Sequence, residues 1–190
     1  MTSIIIAAWT VALSSAPTDA RLLRMPSVSG NTVVFTYAGD IYRCSLDGGE
    51  ARRLTTHPAG ESYPRISPDG KTVAFMGSYD GASAIYTIPI EGGEPRRATF
   101  EQPGALLIGW TPDGRIAYSS PRNSPGGFTG GLSYVKPGGG LPERTKLFEI
   151  DQGTFSPDGS TVVYNRIGWD TSNWRRYRGG QQGVVSFYDL

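Results

Sequence analysis

One four-residue turn, repeated at a fixed interval, constrains this chain more than any other feature. It occurs as Ser67-Pro68-Asp69-Gly70, Thr111-Pro112-Asp113-Gly114 and Ser156-Pro157-Asp158-Gly159, with successive copies about 44 to 45 residues apart. Proline presets φ for the first central position of a type I turn, aspartate suits the second, and glycine takes the left-handed conformation that follows. Each copy is therefore a hairpin corner. A shortened copy, Val28-Ser29-Gly30-Asn31, lies about 40 residues upstream of the first, so the chain holds four units.

β-rich segments surround every corner. Immediately after it run Asn31 to Tyr37, Lys71 to Met76, Arg115 to Ser119 and Ser160 to Tyr164; a second strand follows as Asp40 to Leu46, Ala84 to Ile90, Leu132 to Val135 and Val184 to Leu190. Glycine turns (Asp47-Gly48-Gly49, Glu91-Gly92-Gly93, Gly138-Gly139-Gly140) then lead into polar outer strands such as Ala51 to Thr55 and Pro95 to Thr99. With the short strand before each corner, each unit has four antiparallel strands. That is the period of a β-propeller blade; a solenoid repeats faster, and a sandwich does not repeat its turn chemistry. The expected fold is all-β: about four four-stranded antiparallel blades of an incomplete ring. Composition agrees, since 26 glycines and 14 prolines suit many short strands joined by tight turns.

The first 20 residues stand apart. Ile4 to Leu13 is apolar and is followed by small and polar residues through Ala20, the layout of a secretory signal. A run of about ten residues is too short to span a bilayer. Met1, Thr2 and Ser3 carry no positive charge, so cytoplasmic retention stands as the alternative to a periplasmic or secreted location. The expected organisation is a signal peptide over 1–20 and a partial propeller over 21–190, with blades at about 21–58, 59–102, 103–147 and 148–190.

Chemistry-bearing residues are sparse. Cys44 is the one cysteine and reads as a buried structural thiol. His57 is the one histidine, in a Pro-adjacent turn, and reads as a solvated loop residue rather than a metal ligand or a catalytic base. The corner aspartates have no second carboxylate at ligand spacing, which argues against calcium. The insertion from Pro121 to Gly131 is glycine-rich but lacks the order of a phosphate loop, and it reads as a flexible loop at one end of a blade. A net charge of +1 disfavours nucleic acid. No catalytic, cofactor-binding or metal-binding residue and no cofactor is expected. The basic aromatic run Trp174, Arg175, Arg176, Tyr177, Arg178 is the candidate contact site, either packing between blades or gripping a peptide carboxylate.

The stretch Arg21 to Pro58, with the phrase Val34-Phe35-Thr36-Tyr37-Ala38-Gly39-Asp40, together with Trp174 through Gly180 in the fourth unit, resembles the opening propeller of tricorn-type serine proteases. The resemblance implies a large peptidase that trims short peptides as an oligomer, with two propellers ahead of a PDZ domain and a serine-peptidase core. It also implies that this chain is a non-catalytic gate for peptides within a six-bladed ring. The chain stops at Leu190, in the third strand of the fourth unit, and so reads as a fragment, expected to be poorly stable alone because its end faces are uncovered. No Gly-x-Ser-x-Gly elbow is present, and no catalytic residue of the family maps onto a position here. TolB-type propellers share the Pro-Asp-Gly corner, so an envelope binding module without a protease domain is the alternative.

Overall fold

The structure is a computed structural model and describes residues 22–125, 130–167 and 183–190. Its strands form four separate antiparallel sheets in chain order. Blade 1 contains β1 (Arg24–Ser29), β2 (Thr32–Tyr37), β3 (Asp40–Ser45) and β4 (Arg52–Arg53); blade 2 contains β5 (Glu61–Ile66), β6 (Thr72–Gly77), β7 (Ala84–Pro89) and β8 (Arg96–Arg97). Blade 3 contains β9 (Leu106–Trp110), β10 (Ile116–Ser120), β11 (Gly131–Val135) and β12 (Glu143–Arg144). Blade 4 has three strands among the described residues, β13 (Gln152–Phe155), β14 (Thr161–Asn165) and β15 (Val185–Asp189). Each sheet pairs its strands in sequence order, and the first strands of successive sheets pack side by side. The fold is a β-propeller, as the repeat predicts.

All three Pro-Asp-Gly corners join the first and second strands of their sheets. In each, the glycine N–H closes the turn on the Ser or Thr carbonyl at 2.9 Å (Gly70 to Ser67, Gly114 to Thr111, Gly159 to Ser156), and the glycine φ is +71°, +83° and +75°, a region that side chains rarely adopt. The corner aspartate serves its own turn: Ser67 and Ser156 each donate to it at 2.6 Å, and Thr111 donates to Asp113. These bonds, from the hydroxyl first, hold Asp69, Asp113 and Asp158 below the usual carboxylate range.

Side chains alternate between the two faces of each strand, and this alternation builds the core. In β6, Val73 and Phe75 face blade 1, where they meet Val34 and Ile41. Ala74 in β6 and Ile85 in β7 face blade 3 and meet Ile116, Tyr118 and Val135. Leu132 and Tyr134 then pack on Val162, Tyr164 and Tyr188 of blade 4. The middle blades are thus apolar on both faces, whereas on β15 Val185 and Phe187 are 67% and 73% exposed.

Cys44 departs from expectation. It is half-buried rather than buried, because it lies on the face of β3 opposite Ile41 and Arg43, pointing away from blade 2, and no other sheet covers that face among the described residues. The insertion after β10 also begins more firmly than its composition suggests. Pro121–Asn123 form a 3-10 turn, and the buried Asn123 amide donates to the carbonyls of Leu132 at 2.8 Å and Thr145 at 3.2 Å.

Candidate axial site

The four first strands converge on one cavity. β1 packs on β5, β5 on β9 and β9 on β13, and together they line a space of about 440 Å³. Bulges shape it: the register shifts between Arg24 and Ser27, between Ser62 and Arg65, and opposite β9 between Ala117 and Tyr118. Met25 and Tyr63 occupy equivalent bulge positions, both with φ +53° and both before a proline. A bulge bends its strand and re-aims the side chains beside it, and here Met25, Tyr63 and Arg65 all line the cavity.

Arg65 is the distinctive group of this wall. Its Nη1 donates to the Pro64 carbonyl at 3.0 Å, its own carbonyl accepts from the Trp110 indole N–H at 2.9 Å, and burial lowers its pKa. No carboxylate pairs with it among the described residues. A guanidinium has five N–H donors, so Arg65 retains capacity for a planar acceptor such as a carboxylate, and partial desolvation strengthens such a bond. When the four units are aligned on their corners, Ser27, Gly109 and Thr154 stand where Arg65 stands. A lone cation at that position is the sequence signal that would have found it.

Trp174, Arg175, Arg176, Tyr177 and Arg178 lie outside the described residues, as do residues 1–20. His57 is an exposed loop residue as expected, but its ring stacks on Tyr79 at 3.9 Å and its Nδ1 accepts from the Ala59 N–H at 3.0 Å. That stacking roofs a buried carboxylate that sequence reasoning missed. Glu61, 2% exposed, accepts from the Tyr79 hydroxyl at 2.7 Å and the Thr55 hydroxyl at 2.9 Å. Burial raises its pKa, opposed by those two hydrogen bonds; burial and the adjacent Glu61 in turn push the Tyr79 phenol above its ordinary range. Ala105 and Ile150 occupy the matching positions of the next two blades, so Glu61 serves blade 1 and blade 2 alone. With both oxygens engaged, it is a structural group rather than a free acid or base.

Comparison with known proteins agrees with this architecture. Residues 20–190 match the tricorn protease N-terminal beta propeller domain. Tricorn protease homolog 1 of Streptomyces coelicolor is 41% identical over 66 residues, which are 35% of this chain and 6% of that protein; the aligned part is thus a small fraction of that relative's length. Among solved structures, the tricorn protease superposes with a TM-score of 0.71 over 87% of this chain and 17% of its own, at 24% identity. A TolB-type protein from Agrobacterium tumefaciens superposes with a TM-score of 0.65 at 29% identity, covering 76% of this chain and 54% of its own. With a family match over residues 20–190, this chain belongs to the family of the tricorn protease N-terminal β-propeller domain.

Proposed function

We propose that this chain is a non-catalytic propeller segment of a serine protease of the tricorn type that degrades short peptides, and that peptides pass along its axial cavity. The observation that carries the reading is Arg65, a half-buried guanidinium on the cavity wall with no carboxylate partner among the described residues. A peptide's terminal carboxylate matches its geometry and charge. Bond cleavage then belongs to other domains of the polypeptide: acyl transfer needs a nucleophile, an activating base and an oxyanion site in one pocket, and the histidine of this chain is stacked on Tyr79. A second propeller, a PDZ domain and a serine-peptidase core are the proposed partners in the same polypeptide, which assembles as a homo-oligomer. The apolar run Ile4 to Leu13 supports export to the periplasm or beyond.

The test is binding of a short peptide with a free C-terminal carboxylate, compared with its C-terminal amide, to the chain and to Arg65→Ala. The free acid binds the chain about tenfold more tightly than the amide, and the preference disappears in Arg65→Ala. Equal binding of acid and amide overturns the role of Arg65. The chain alone turns over no fluorogenic tripeptide; turnover abolished by His57→Ala would overturn the non-catalytic reading. A TolB-like envelope module without a protease domain is the second reading, supported by the likeness to the Agrobacterium protein. The reading frame beyond Leu190 separates the two: PDZ and peptidase segments favour the first, blades alone the second.

A further inference from the structure

The interface between blades 2 and 3 differs from the one before it by two exchanges. Between blades 1 and 2, Phe75 pairs across the strands with Tyr86, their ring centroids 6.0 Å apart, and the two rings fill the space. At the matching positions of blade 3, Tyr118 pairs with Ser133. One aromatic ring has become a serine, which opens space, and the other has gained a hydroxyl. A cavity of about 480 Å³ lies beside this pair, with Tyr118 and Glu101 in its wall.

Its polar atoms lack partners. Tyr118 and Ser133 are fully buried, and the Glu101 side chain is 9% exposed. Neither carboxylate oxygen of Glu101, nor the Tyr118 hydroxyl, nor the Ser133 hydroxyl has a hydrogen-bond partner in the protein. The groups are close enough to influence one another: burial first, then the Glu101 charge, raise the Tyr118 phenol pKa. Buried polar atoms are rarely left unpaired, and three of these, the two Glu101 oxygens and the Tyr118 hydroxyl, belong to residues that line the cavity, which indicates an occupant. Arg144 stands 3.8 Å from Glu101, which balances charge without occupying the carboxylate's lone pairs. Arg122 and Arg144, both exposed, line the opening, as does Phe100, 67% exposed.

The geometry points to a binding site for a small zwitterion carrying a primary ammonium and a carboxylate, a free α-amino acid or the first residue of a short peptide. Three N–H donors of an ammonium match the two carboxylate oxygens of Glu101 and the Tyr118 hydroxyl. The ligand's carboxylate then meets Arg144 and Arg122 at the rim, and its side chain lies against Phe100 and its apolar neighbours. A neutral zwitterion set against Glu101 and Arg144 offers each an opposite charge with no change in net charge. A simple amine would face Arg144 unbalanced, and a simple acid would face Glu101.

The experiment titrates the 190-residue chain, by calorimetry or by NMR, with leucine, leucylglycine, isopentylamine and N-acetylleucine. Leucine or leucylglycine binds saturably, and whichever is tighter distinguishes a free amino acid from a peptide terminus; isopentylamine and N-acetylleucine bind at least about tenfold more weakly. Glu101→Gln and Tyr118→Phe each weaken the zwitterion by about tenfold or more, while thermal unfolding shows that both variants fold. In the Arg65→Ala background the dependence of zwitterion binding on Glu101 and Tyr118 persists, which separates this site from the axial cavity. Absence of saturable binding by either zwitterion overturns the proposal, as does equal affinity for the amine. If Glu101→Gln fails to fold, Tyr118→Phe with undiminished affinity overturns it instead.

Discussion

Thr55 and Thr99 at equivalent positions of blades 1 and 2, and Thr145 one position earlier in blade 3, make different hydrogen bonds, and substituting each by valine reads their worth in one chain. Thr99 is 3% exposed, and its hydroxyl accepts from the Ile85 N–H at 2.9 Å. The Ile85 carbonyl already accepts from Ala98 at 2.8 Å on the same side of the strand, so Thr99→Val removes no volume but orphans a buried backbone donor, a loss of about 1–3 kcal/mol. Thr55 does the same for Ile41 at 2.9 Å and also donates to Glu61 at 2.9 Å. Hydrogen bonds to charged groups contribute about 1.5–3 kcal/mol, so Thr55→Val exceeds Thr99→Val by about that much. Thr145 is wired differently: the Leu132 N–H takes the Leu147 carbonyl at 2.8 Å, the Leu132 carbonyl keeps its bond from Asn123 at 2.8 Å, and the one backbone donor the Thr145 hydroxyl serves, the Leu147 N–H at 3.1 Å, makes a part-buried bond. Thr145 is half-buried, water can replace what is lost, and Thr145→Val costs under about 1 kcal/mol. Urea unfolding of the 190-residue chain, with unchanged m-values, measures all three. Thr55→Ser and Thr99→Ser keep the hydroxyl and recover most of the loss. A Thr145→Val cost equal to that of Thr99→Val, or a Thr99→Val cost as large as that of Thr55→Val, refutes the reasoning.

Glu61 gives a pH prediction. Its pKa is raised in the folded chain, so the folded state holds that proton more tightly than the unfolded one; its contribution is present at low pH and is lost as pH rises from the ordinary carboxyl range through the raised value. Glu61→Gln therefore flattens the fall in stability across that window, while the loss at still lower pH from Asp69, Asp113 and Asp158, whose pKa values are depressed, persists in thermal melts. Phe75→Ala, at a fully buried site between blades 1 and 2, costs about 3–5 kcal/mol, whereas Phe187→Ala, 73% exposed, stays within about 0.5 kcal/mol; equal costs in denaturant unfolding would contradict the assignment of faces. Gly131→Ala places a Cβ against the Asn123 carbonyl and lowers the melting temperature, because that carbonyl is backbone held in the 3-10 turn.

Much of the fold was legible because its determinants are local. A Pro-Asp-Gly corner needs only its own four residues and the hydroxyl before the proline, as in Ser67 to Asp69 at 2.6 Å, and three copies at one period set sheet count and strand order before any tertiary contact is known. The strands after each corner followed from alternation and β-branching. Burial was less legible. Cys44 sits in the same kind of apolar strand as Ile41, and its exposure depends on which face of the blade meets another blade. The same period-2 pattern is largely buried in β6 and half-open in β15, so composition of a strand alone does not distinguish a middle blade from an end one.

The candidate sites were illegible for a related reason: each is a departure from the repeat rather than part of it. Arg65 becomes meaningful only when the four units are aligned and Ser27, Gly109 and Thr154 appear in its place, and only the convergence of β1, β5, β9 and β13 turns that position into a cavity wall. Glu101 stands where His57 stands one blade earlier; read along the chain, each is one polar residue in a connection. Ser133 in place of Tyr86, and Tyr118 in place of Phe75, look like ordinary strand substitutions until the cross-strand pairing brings them together against Glu101. Repetition fixes a scaffold whose interfaces are interchangeable, and an interface stripped of an aromatic ring and given three unsatisfied polar groups loses stability that an apolar pair would have supplied. Recognition of a ligand offsets that loss; packing alone does not.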